Sequence, residues 1–180
     1  MLTTENTALM LIDYQGRLAQ VMYDNESLHE NMTKLVKGVN ILDVPTIWVE
    51  QYPKGLGQTV PEVHELLKTD NEPIAKMDFS ACDHEDVRSL MNELNRDKFI
   101  VAGIEAHVCV YQTVKQLLSL GKHVEFVQDC ISSRTEQNHE VAIDKMMLLG
   151  AYPTSVEMVL FELMGSAKHP QFKEISALIK

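Results

Sequence analysis

The chain is poor in the features that mark several large protein classes. It has three cysteines in 180 residues, at positions 82, 109 and 130, and no pair of them forms a CxxC. An odd count excludes complete disulfide pairing within the chain, and the spacing excludes a thiolate zinc site. No apolar run approaches the roughly 18 residues of a membrane-spanning helix, so no membrane partner is expected. Positive charge is scarce. Sixteen Lys+Arg against 26 Asp+Glu leave a formal charge of −10, unsuited to nucleic acid or anionic lipid, which call for clustered positive charge. The N-terminus has acidic Glu5 and no basic stretch with a small-residue cleavage site, so no secretory leader is expected. With reduced cysteines, this points to the cytoplasm. No repeat, low-complexity tract or Pro/Gly/Ser-rich linker breaks the sequence, and at about 150 residues per domain a single domain over 1–180 is expected.

What is present is an alternation of short β-type runs and helical stripes. Ala8-Leu-Met-Leu-Ile12 is continuously apolar and stops at Asp13, as a strand buried on both faces does. Leu28, Met32, Leu35, Val36 and Val39 form one helical stripe. Thr46-Ile-Trp-Val-Glu50 reads as a second strand, and 51–57 reads as a loop punctuated by proline and glycine. Pro73-Ile-Ala75 leads to Lys76. Glu85 to Asn95 is helical, and Phe99-Ile-Val-Ala102 is a strand closed by Gly103. A helix is expected over 108–121, a strand over His123–Val127 with its end at Asp129, and a helix from Glu136 to Leu149. A short last strand, divided by Pro153-Thr-Ser155 from two terminal helices, completes the chain, with Pro170 suited to the first turn of the last helix. This order predicts an α/β fold with a mostly parallel sheet covered on both faces.

Such sheets bind ligands beyond the carboxyl ends of their strands, where Asp13, Glu50-Gln51, Lys76, 103–109 and 129–134 fall. Alone, Asp13 reads as a turn carboxylate, Lys76 as a solvated charge and Cys109 as a small apolar side chain. Together they make a coherent kit. The thiolate is the nucleophile of cysteine chemistry, and a helix start and a nearby lysine both favour it at Cys109. A carboxylate can take the thiol proton and return it to a leaving group.

Ala8-Leu-Met-Leu-Ile-Asp-Tyr-Gln15, Lys76-Met-Asp-Phe-Ser80 and Gly103-Ile-Glu-Ala-His-Val-Cys-Val110, in this order, resemble the isochorismatase-like cysteine hydrolases across nearly the whole chain. The stretch 50–57 and the tail His169-Pro-Gln-Phe-Lys-Glu-Ile175 are similar to the isochorismatase domain-containing subgroup. The resemblance implies a three-layer α/β/α sandwich with a six-stranded sheet in the order 3-2-1-4-5-6. It also implies a triad of Asp13 (proton shuttle), Lys76 (electrostatics) and Cys109 (nucleophile). It further implies a cis peptide between Ile104 and Glu105 that turns N–H groups toward an oxyanion beside the Cys109 amide. Gln15 is expected to orient the loop after Asp13. Tyr52, Pro53 and His107 are candidate pocket residues, and a Cys109–His107 dyad is the lesser alternative. Asp129 and Arg134 are expected to pair and steady 131–133, and Cys82 and Cys130 to be buried thiols. His29, His64, His84, His123 and His169 read as surface or helix-end residues.

The family's nicotinamide amidases hold a metal through an Asp-x-His pair, where this chain has Glu50-Gln-Tyr52, so neither metal nor other cofactor is expected. The expected reaction is hydrolysis of a small amide-like C–N substrate through an acyl-enzyme. A catalytically silent binding or scaffold protein and a thiol redox sensor at Cys109 are the alternatives. The apolar segments 146–149 and 156–161 add the expectation of a homo-oligomer.

Overall fold

In a computed structural model, which describes residues 1–67 and 72–180, the apolar runs become the centre of a parallel sheet. All six residues of β1 (Thr7–Ile12) are buried. Side chains alternate across a strand, so Leu9 and Leu11 enter one hydrophobic layer while Ala8, Met10 and Ile12 enter the other. After the short α1 (Gly16–Gln20), α2 (Asn25–Ile41) turns its predicted stripe of Leu28, Met32, Leu35, Val36 and Val39 into the first layer. Then follow β2 (Thr46–Gln51), the single turns α3 (Pro53–Leu56) and α4 (Pro61–His64), and β3 (Ile74–Lys76). A 3-10 turn (Ala81–Asp83) leads into α5 (Glu85–Leu94) and β4 (Lys98–Ile104).

A π-helical turn (Ala106–Val110) continues into α6 (Tyr111–Ser119), and β5 (His123–Ser132), α7 (Glu136–Leu148) and β6 (Tyr152–Thr154) follow. The last helices are α8 (Val156–Met164) and α9 (Phe172–Ile179). The strand order is β3-β2-β1-β4-β5-β6, and every pairing is parallel. Helices α2, α8 and α9 cover one face; α5, α6 and α7 cover the other. The order reverses at β1, which pairs with β2 on one side and β4 on the other, and the carboxyl ends there form the topological switch point.

Four elements differ from the sequence reading. The stretch 51–57 holds a helical turn because Pro53 supplies a ready helical φ at its first position. The chain after β4 enters helix earlier than expected, at Ala106, and through a π-turn. Strand β5 runs on to Ser132: between the pairs Val101–Phe126 and Gly103–Ile131 it takes five steps to β4's two. This bulge hides the continuation from an apolar-run reading. Pro170 lies ahead of α9, whose N-cap is Gln171. No helix among the described residues is long and apolar enough to cross a membrane.

Candidate active site

Asp13 leaves β1 with φ +50°, a left-handed conformation that Asp tolerates better than most residues. Its N–H donates to the Val49 carbonyl (3.1 Å), and its side chain is almost fully buried. Lys76, the last residue of β3, is equally sealed. Its Nζ donates to Asp13 Oδ2 at 2.8 Å, to Gln51 Oε1 at 2.7 Å and to the Asp78 and Phe79 carbonyls at 3.1 and 3.3 Å. Cys109, in the π-turn, is 6% exposed and interacts with both charged groups. The remaining oxygen of Asp13, Oδ1, is buried without a hydrogen-bond partner of ordinary geometry. The structure thus brings together Asp13, Lys76 and Cys109 from three separate strands' ends.

The electrostatics correct the expectation of a resting thiolate. Burial pushes the Cys109 thiol up to about 12; the Asp13 carboxylate adds to the rise and Lys76 opposes it. The helix start and the lysine lose because a charged sulfur here would be stripped of water beside an existing anion. Burial likewise raises the Asp13 carboxyl above the usual carboxylate range, against the pull of Lys76. The resting site is a neutral thiol facing a sealed ion pair.

A polar frame fixes these groups. Gln15 is fully buried; its amide N–H group donates to the Gln51 and Gly57 carbonyls (3.1 and 2.6 Å), and its oxygen accepts from the Gln51 N–H (2.7 Å). It ties the loop after β1 to β2, and its amide serves the backbone. Gln51 stands at a strand end, and nothing in the sequence pattern marks its role; besides holding Lys76, it donates to the Met77 carbonyl (2.8 Å). Glu50 accepts from the N–H and hydroxyl of Thr59 (2.6 and 2.8 Å). Thr113, also unforeseen, donates to the Cys109 carbonyl (2.7 Å) and accepts from the Ala81 N–H (3.0 Å), linking the π-turn to 80–82.

Ahead of the nucleophile, Gly103 has φ +130°, and a Cβ there would lie 1.9 Å from the Ile12 carbonyl oxygen. Only glycine permits β4 to come so close to the residue before Asp13. The Ile104–Glu105 peptide is cis. Glu105 accepts from Arg134 Nε at 2.8 Å, which corrects the expected Asp129–Arg134 pair. Asp129 instead accepts from the Val156 N–H at the start of α8 (3.1 Å).

The remaining candidates sit further out. Tyr52 is 48% exposed and caps α3, with Pro53 at that helix's first turn. His107 is half-buried, its Nδ1 2.9 Å from Ser133 Oγ, and it lines a groove of about 530 Å³ with Ser80, Tyr111 and Lys115. Cys82 and Cys130 are fully buried free thiols. His29 meets the Tyr14 hydroxyl (3.2 Å), and His84 caps α5. Among the described residues no group of three or more His, Cys, Asp or Glu is arranged to hold a metal.

The isochorismatase domain profile matches residues 7–158. The chain belongs to the isochorismatase family. It is similar to the isochorismatase domain-containing protein 2 of Danio rerio, 36% identical over 179 residues, covering 99% of this chain and 89% of that protein. Among solved structures it is similar to the MAR1 ribonuclease of Caenorhabditis elegans, with TM-score 0.94 and 36% identity over 99% of this chain and 91% of that one. The family fold also appears in the YcaC gene product of Escherichia coli, an octameric hydrolase of unknown specificity. There the TM-score is 0.92 at 23% identity, over 99% of this chain and 88% of that one. The isochorismatase fold accounts for the strand order and for the site's position at the switch point.

Proposed function

We propose that this family member is a metal-independent cysteine hydrolase that opens a C–N bond in a small amide-like substrate. The observation that carries the reading is the sealed Asp13–Lys76 ion pair facing the Cys109 thiol. Cys109 Sγ bonds to the carbonyl carbon while the thiol proton passes to Asp13. The C–N bond then breaks, Asp13 returns the proton to the departing nitrogen, and an acyl-enzyme remains. Water attacks the thioester, giving its proton through Asp13 to the sulfur, and the acid leaves. The first transfer turns thiol plus carboxylate into thiolate plus carboxylic acid, with Lys76 cationic throughout. Net charge in the pocket is unchanged, so the burial that disfavours a lone thiolate opposes this step less.

The amides on either side of Cys109, those of Val108 and Val110, both donate to the Glu105 carbonyl (3.0 and 3.2 Å). The Cys109 N–H between them is assigned to the oxyanion, a role worth about 10²–10³-fold in rate per donor. The test is incubation with a library of small amides and carbamates, read by intact-protein mass. An acyl adduct mapped to Cys109, absent in Cys109→Ala, supports the reading. Turnover of no compound with no adduct would favour a binding or scaffold role, and oxidation of Cys109 without acylation a redox sensor.

The name of the C. elegans relative favours RNA as a second reading. Against it stand the chain's charge of −10 and a catalytic cation whose donors are already engaged by Asp13, Gln51 and two carbonyls. RNA cleavage by the wild type that Cys109→Ala removes would reverse this ranking. The proposed assembly is a homo-oligomer through α7 and α8, where Leu148 and Met158 are 87% and 61% exposed. The proposed compartment is a reducing one, the cytoplasm, in keeping with three free cysteines.

A further inference from the structure

Residues of the β5 bulge line a second cleft, on the β5–β6 side of the sheet, that the hydrolytic reading does not use. Bulges re-aim side chains out of the ladder, and here the extra residues between Phe126 and Ile131 include Gln128 and Asp129. These two and His139 of α7 are shared by two cavities, of about 160 and 460 Å³. Asp24 and Asn31 line the smaller cavity, and Ser155 the larger. His139 Nδ1 is buried and has no hydrogen-bond partner. A buried polar atom left without a partner is uncommon and costly.

The chemistry of the cleft selects the sign of its ligand. An anion would need the N–H groups at the start of α8, but Asp129 already takes that of Val156 and Ser155 Oγ that of Met158. What remains is acceptor capacity on the Asp129 carboxylate, on the Gln128 side-chain carbonyl and on His139. Burial lowers the His139 pKa, so the ring is neutral at pH 7 and can offer Nδ1 as an acceptor. The surrounding charge is mostly negative. Asp24 lines the cleft, Glu136 and Glu140 act on His139, and Lys34 is a cation that acts on Asp129.

We propose that this cleft binds a small organic cation, its ammonium group donating to Asp129 and His139 Nδ1. The site stands independently of the chemistry at Cys109. Titration with putrescine, followed by amide NMR on the full chain, tests it. The expected result is saturable shifts at 128, 129 and 139, with binding weaker by about tenfold or more in Asp129→Asn and in His139→Phe. Asparagine keeps an oxygen for the Val156 N–H, and phenylalanine keeps the ring's bulk without its nitrogen, so if one variant fails to fold the other decides. Absence of saturable shifts, shifts that survive both substitutions, or equal shifts with inorganic phosphate would overturn the proposal.

Discussion

Lys76 Nζ stands 2.8 Å from Asp13 Oδ2, and neither side chain is more than 2% exposed. Removing one partner of such a pair strands the other's charge, so Lys76→Met is expected to destabilise the fold by about 3–5 kcal/mol at neutral pH. The pH dependence has a definite sign. Asp13 titrates above its ordinary value in the fold. Its contribution therefore favours the fold below the unfolded-state pKa and is lost as pH rises through the folded one. Without Lys76 that folded pKa moves higher still, so the penalty of Lys76→Met shrinks as the pH falls and Asp13 takes a proton. Urea denaturation at neutral and mildly acidic pH measures both; a pH-independent penalty would contradict the ion-pair account.

The raised Cys109 thiol sets a second expectation. With a pKa near 12, its alkylation by iodoacetamide rises with pH through the alkaline range and shows no plateau near neutrality. Lys76→Ala slows it further, because a cation that favours the thiolate is gone. Cys109 still reacts ahead of Cys82 and Cys130, which are completely enclosed. A plateau near pH 7 would mean a preformed thiolate.

Periodicity displayed the strands and long helices because burial on two faces or one writes a pattern into the residues themselves. The run from Ala8 to Ile12 is apolar for that reason, and so is the stripe from Leu28 to Val39. The site was legible only in part. Asp13, Lys76 and Cys109 stand at strand ends, but their convergence depends on the order in which the strands assemble. The resting protonation state was not legible at all, since desolvation is a property of the closed pocket. Arg134 pairing with Glu105, and the β5 bulge that aims Asp129 elsewhere, likewise arise from register.

Gly103→Ala probes the approach of β4 to β1. The new methyl would meet the Ile12 carbonyl oxygen at 1.9 Å, and backbone has nowhere cheap to go. A loss of about 3 kcal/mol or more is expected in denaturant melts, with activity lost in whatever remains folded because Ile12 precedes Asp13.

Leu148→Glu tests assembly without disturbing the core. The side chain is 87% exposed, so chemical stability of the protomer should change by no more than about 0.5 kcal/mol. Light scattering should show a smaller species than the wild type. Pro153 lies in the edge strand and offers no N–H for strand pairing, which leaves helix faces as the contact. A wild type that scatters as 20.4 kDa alone would remove the oligomer.

Gln51 tests whether the frame around Lys76 governs chemistry or only stability. Its Oε1 accepts from Lys76 Nζ (2.7 Å), and its Nε2 donates to the Met77 carbonyl (2.8 Å), so it sets both the cation and the loop that follows. Gln51→Leu removes an acceptor from a buried ammonium, and a loss of about 1–3 kcal/mol in stability is expected. Gln51→Glu keeps an acceptor for Lys76 but adds a negative charge beside it, which competes with Asp13 and the incipient thiolate for the same cation. A purely structural Gln51 would tolerate glutamate, with stability and Cys109 reactivity both near wild type. A positioning Gln51 would retain much of its stability with glutamate while alkylation of Cys109 slows and its pH profile moves to higher pH. Melting temperature and the thiol's pH–rate profile, measured on both variants, separate the two roles.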